Sequence, residues 1–205
     1  MKQVIVSGYA AETKHEYLRE VANVFIPNGF LFYVFGLTIE DEPSEVTDHQ
    51  VLKRFEAAKR RSGGADVAAH VRYLRWNRYW VVTGTEKVLW FFAEKGRSVG
   101  DFREDPLIFA GYKIRAVRSK DGKGYEGCVE VGGGLFEGFA ERWLKAAVSS
   151  SAYEIATSIL EADFGDYPQV VERLERVLRA INERRKAAGL DLVPRSAVGL
   201  GNSSS

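Results

Sequence analysis

Val71-Arg72-Tyr73-Leu74-Arg75-Trp76-Asn77-Arg78-Tyr79-Trp80-Val81-Val82 is the stretch on which the fold reading turns. Taken as one long strand it fails, because neither alternate set of side chains is cleanly apolar. A hairpin turning near Asn77 accounts for the polar interruption, since asparagine tolerates the left-handed backbone region that tight turns use. The stretch therefore predicts a β-hairpin in which arginines and aromatic rings are interleaved.

Upstream, Thr13 and Glu16 have capping-box spacing, and Tyr17, Leu18, Val21, Val24 and Phe25 recur at helical intervals, predicting a helix over about 14–25. Pro27-Asn28-Gly29 breaks it. Phe30 to Ile39 is nearly all apolar and aromatic, which reads as a strand buried on both faces. A second helix is expected over about 48–61, opened by Thr47 and Gln50 and closed by Lys59-Arg60-Arg61 before Gly63-Gly64.

Downstream of the hairpin a short helix is expected over 86–94. Leu107 to Arg118 alternates, with Ile108, Ala110, Tyr112, Ile114 and Ala116 on one face and Lys113 and Arg115 on the other, so one continuous strand is predicted. Asp121-Gly122 marks a turn into a partner strand at about 125–131. Gly132-Gly133-Gly134 reads as a permissive turn, since it lacks dinucleotide and P-loop spacing.

From there the chain turns helical. Phe136, Phe139, Ala140, Trp143 and Ala147 line one helix, Ser151 and Glu154 open another, and a last helix covers about 168–188. On that last helix Val170, Val171, Leu174, Val177, Leu178 and Ile181 share a side. Glu172–Arg176 and Glu175–Arg179 fall at i,i+4 spacing on the other. Leu192-Val193-Pro194-Arg195-Ser196 resembles a thrombin cleavage site, and the final residues resemble a vector remnant or a disordered end.

The sum is an α+β protein: a four- to five-stranded mixed or antiparallel sheet packed by helices, with a C-terminal three-helix segment. The expected division is a sheet domain at 1–131, helices at 132–190 packed on the same core, and a tail at 191–205.

Charge sharpens the functional reading. Residues 1–50 carry three basic and eight acidic side chains, residues 51–125 carry seventeen and eight, and residues 126–205 carry nine and twelve. A chain of net charge +1 thus concentrates an excess of +9 in its middle. Arg72, Arg75, Arg78, Lys113 and Arg115 accompany Tyr73, Trp76, Tyr79 and Trp80 on predicted strands. Cations for phosphates beside flat rings for bases are what single-strand-binding sheets combine. The competing account is that the rings are core and the arginines a solvated outer face.

The leading expectation is a nucleic-acid-binding protein without catalytic activity, using Arg72, Tyr73, Arg75, Trp76, Arg78, Trp80, Lys113 and Arg115. Two alternatives stand beside it. One is a protein-interaction or self-assembly component, suggested by the charge asymmetry and the amphipathic helices. The other is a metal-dependent nuclease or phosphotransfer enzyme, with Glu40 and Asp41 as weak candidate ligands at a strand end. Asp101, Glu104 and Asp105 form a second loose acidic group. His15, His49 and His70 are far apart, no nucleophile elbow is present, and no cofactor is expected. One cysteine, Cys128, excludes an internal disulfide and fits a small buried hydrophobe. The longest apolar run is too short to span a bilayer and Met1–Val6 does not read as a signal peptide, so no membrane partner and a cytoplasmic location are expected.

Overall fold

The structure, a computed structural model, describes residues 9–38, 46, 48–51, 53, 71–85 and 99–200. Thr47 and the expected C-terminal cap of the 48–61 helix, the 86–94 helix, Glu40–Pro43 and His70 lie outside the described residues. The chain is α+β and divides into two compact units, Met1–Cys128 and Val129–Ser205.

The first unit is built on a five-stranded sheet of order β1-β3-β4-β2-β5, comprising β1 (Tyr9–Ala10), β2 (Phe32–Leu37), β3 (Val71–Trp76), β4 (Tyr79–Gly84) and β5 (Gly100–Asp101). All its pairings are antiparallel except β1 with β3. The hairpin expected at Asn77 is present: Trp76 pairs with Tyr79, and Asn77 takes φ 49° in the connection.

Helix α1 (Lys14–Arg19) starts where the spacing predicts, with the Glu16 amide donating to the Thr13 hydroxyl at 3.0 Å. The Glu16 carboxylate accepts from the Glu12 amide at 2.7 Å, one residue earlier than a capping box would place it. The helix continues as a π-helical segment over Glu20–Phe25, with the Ile26 amide donating to the Val21 carbonyl, and Gly29 at φ 85° ends the turn. Strand β2 is not buried on both faces as expected. Val34 is buried but Leu37 is half-exposed, because β2 is covered unevenly along its length.

A second, three-stranded sheet was not foreseen. It runs β6 (Leu107–Phe109), β7 (Tyr112–Arg118), β8 (Tyr125–Val131), in that order. Leu107 to Arg118 is therefore a hairpin and not one strand. Ala110 (φ 46°) and Gly111 (φ 85°) both adopt left-handed backbone, and Phe109 pairs with Tyr112. A two-residue connection inverts the parity of the inward face: Leu107 and Phe109 are buried on one arm, Tyr112, Ile114 and Ala116 on the other. Ile108 consequently faces out opposite Lys113 and is 55% exposed. The Asp121-Gly122 turn joins β7 to β8 as expected, with Gly122 at φ 72°. Gly127 of β8 lies against the Ala22 backbone, leaving no room for a Cβ.

The second unit holds α2 (Gly133–Ala146), α3 (Ala152–Glu161) and α4 (Pro168–Ala187). Gly133 and Gly134 form the first turn of α2 with Gly132 at its N-cap, so two of the three glycines are helical and do not make a turn. Ser151 and Glu154 form a complete capping box on α3. Phe164 packs among Phe136, Phe139 and Trp143, with ring centroids 5.2–6.2 Å apart. Helix α4 buries Val170, Leu174, Leu178 and Ile181.

Arg185 is also buried, at 3% exposure, and donates to the carbonyls of Ala147 (2.8 Å), Ser150 (2.7 Å) and Asp191 (2.5 Å). One guanidinium thereby satisfies carbonyls just past the end of α2 and one beyond α4. The stretch set aside as a tail packs on α3 and α4 instead. Val193, Val198 and Leu200 are buried, Asn182 and Val193 exchange two hydrogen bonds of 2.9 Å, and Arg195–Val198 forms a 3₁₀ turn. Its aliphatic residues recur too irregularly for periodicity to show this.

Candidate functional site: an arginine–aromatic row

The eight residues singled out from the sequence do not form one surface. In a strand, residues three apart point to opposite faces, and Arg72 and Arg75 are three apart on β3. Arg75 turns to the face of Tyr73 and makes a two-pronged ion pair with Asp48, Nε to Oδ1 at 2.9 Å and Nη2 to Oδ2 at 3.2 Å. The Tyr73 hydroxyl donates to the same carboxylate at 2.5 Å. Burial, with the Asp48 hydrogen bond added, holds the Tyr73 phenol far above its usual pKa.

Tyr73 and Trp80 are core side chains, 3% and 5% exposed. Trp80 lies directly over Gly36 on the paired strand, in the space a Cβ would take. Trp76 and Tyr79 are half-buried and stack on each other (5.9 Å, 19°), and both meet Phe109 edge-on at 5.6 and 4.9 Å. Arg78 donates to the Thr38 carbonyl at 3.5 Å. Lys113 and Arg115 are exposed on the outward face of β7, in the other sheet. Two rings of the expected stacking platform are thus interior packing.

The structure assembles a different group. Phe30 precedes β2 and Phe32 is its first residue, and two guanidiniums lie over them: Arg72 over Phe30 at 4.6 Å and Arg103 over Phe32 at 5.1 Å. Arg103 also lies 5.9 Å from the Tyr125 ring, and Arg118 lies 4.8 Å from that same ring. Arg72, Arg103 and Arg118 are all exposed. Three of the four segments meet here because the Leu31 carbonyl accepts from the Phe102 amide (2.9 Å) and the Phe102 carbonyl from the Ala116 amide (2.8 Å), and the fourth, β3 with Arg72, is brought to β2 through β4.

Asp101 fixes Arg103. Its carboxylate accepts from Arg103 Nε at 2.8 Å and from Nη2 at 2.5 Å, and this pairing draws the Asp101 pKa below the usual carboxylate range. The sign follows: the pair stabilises the fold above the ordinary carboxylate pKa, and that contribution is lost as pH falls through the depressed value. The β7–β8 turn adds Lys120 and Lys123, both exposed, while its Asp121 is occupied by the Ser119 hydroxyl and the Lys123 amide at 2.9 Å. Glu104 and Asp105 follow Arg103 directly, so the cationic surface extends towards Arg118 and the β7–β8 turn and not along the β5 loop.

Of the predicted residues only Arg72 belongs to this row. Arg103, Arg118 and Tyr125 were missed as site residues, although the Asp121-Gly122 turn already brings Arg118 and Tyr125 together across a hairpin. Glu40 and Asp41 lie outside the described residues, and among the described residues no group of three or more histidine, cysteine or acidic side chains is placed to hold a metal ion. Among those residues no helix is long and apolar enough to cross a membrane. No family model and no curated protein matches the chain.

Proposed function

We propose that the protein is a non-catalytic nucleic-acid-binding module that takes single-stranded nucleic acid along the row Arg72–Arg103–Arg118. The observation that carries this reading is the seating of all three exposed guanidiniums on aromatic rings. A ring under each guanidinium holds its plane in place, which lowers the ordering cost when a phosphate or a base arrives. Exposed bases stack on guanidinium planes as well as on aromatic rings, and phosphates accept from the guanidinium N–H groups. Lys120 and Lys123 supply further cations for the backbone. Cys128, the one cysteine of the sequence, is buried, which fits a reducing cytoplasmic location.

The test is fluorescence anisotropy with a labelled oligo(dT) or oligo(U) over a range of salt. Three arginine–phosphate contacts give an expected slope of log K against log salt of about −2, steepening towards about −3.5 where Lys120 and Lys123 also engage. The Arg72→Ala/Arg103→Ala/Arg118→Ala variant is expected to lose binding and the salt slope. Binding that is absent at low salt, or that survives in the triple variant, overturns the proposal.

A further inference from the structure

The second unit carries a cleft of about 310 Å³ between α4 and the segment that follows it, close to the lower size of sites that hold small molecules. Its apolar surface comes from Leu178 and Leu192, and Asn182 stands between them. Asn182 is committed to both backbone groups of Val193, so it holds the wall in place and is not a ligand donor.

The charges around the cleft are set by an exchange of partners. Sequence spacing pairs Glu175 with Arg179, but in the structure Glu175 accepts from Arg195 at 2.5 Å instead. Arg195 arrives from the segment beyond α4, and Arg179 is left exposed at the rim. Lys186, two turns along, is also exposed, and among the described residues neither cation has an acidic partner. Among the described residues Glu183 is the one acid of the lining with no ion pair. With Glu175 and Arg195 cancelling, the lining keeps two cations against one carboxylate.

We infer that this cleft binds a small amphipathic carboxylate, with its hydrocarbon against Leu178 and Leu192 and its carboxylate between Arg179 and Lys186. The geometry matches each half of such a molecule. Leu192 is 51% exposed, so a hydrocarbon that covers it removes apolar surface from water. Both exposed cations line the cleft together with the two leucines, so a carboxylate can reach either without being drawn from water into the core.

Sodium octanoate is the probe, titrated below its micellar range into the full chain and followed by backbone amide chemical shifts. Saturable shifts centred on Leu178, Asn182 and Leu192 are expected. Arg179→Ala/Lys186→Ala should weaken binding about ten-fold while the remaining spectrum stays native. Leu192→Ser, at a half-exposed position, should weaken it independently of charge. The inference is overturned by the absence of saturable shifts. It is equally overturned if octylammonium binds as well as octanoate, or if the double variant keeps its affinity within about two-fold.

Discussion

Two hairpins in this protein are built alike and read differently. The β3–β4 hairpin turns on Asn77-Arg78 and the β6–β7 hairpin on Ala110-Gly111; both connections have two residues, and both invert the parity of the inward face. In the first, the polar pair Asn77-Arg78 interrupts an aromatic run and gives the turn away. In the second, Ile108 and Ala110 happen to continue the apolar parity of β7 backwards through the turn, so alternation conceals it. Alternation reports a face only within one strand. A hydrophobic residue on the far side of an unseen turn is counted on the wrong side.

The comparison is tested most severely at Trp80. If the aromatic interleaving of the first hairpin is interior packing, Trp80→Ala should cost about 3–5 kcal/mol of unfolding free energy in denaturant titration. A ring serving an exposed platform would cost under about 1 kcal/mol. The second outcome would restore the surface that the sequence suggested and would remove the reason for moving the site to the arginine row.

How much was legible follows from the range of the interactions. Local signals survived into the structure: Thr13 capping α1, Ser151 and Glu154 boxing α3, and Asn77 turning the first hairpin. Facing was partly legible as well, since a three-residue spacing on a strand already separates Arg72 from Arg75. The site was not, because Phe30, Phe32, Arg103 and Arg118 meet only through β2–β5 pairing and the Phe102 backbone contacts, and β5 has two residues. The packing of 191–200 was hidden for the same reason. It rests on a buried arginine and a side-chain amide bonded to backbone, neither of which has a periodicity.

A smaller effect distinguishes the two turns. Gly111 holds φ 85°, a conformation that costs an L-residue with a Cβ about 1–2 kcal/mol, so Gly111→Ala should lower stability by that amount. Asn77, at φ 49°, already carries a side chain that tolerates this region, and Asn77→Gly should stay within about 0.5 kcal/mol. Equal sensitivity at the two positions would mean that the second hairpin does not turn at Ala110-Gly111.

The smallest expected effect is the most direct reading of parity. Ile108 is apolar, lies next to the fully buried Phe109 and is itself 55% exposed, opposite Lys113. Ile108→Thr should therefore change stability by no more than about 0.5 kcal/mol, as surface substitutions do, with threonine keeping the β-branching that a strand favours. On a continuous strand Ile108 would share the face of Tyr112 and Ile114, and the same substitution would bury a hydroxyl where a methylene had packed. That arrangement predicts a loss of about 2 kcal/mol or more. The gap between the two outcomes exceeds the error of a denaturant titration, and it arises from nothing except the two residues of the turn.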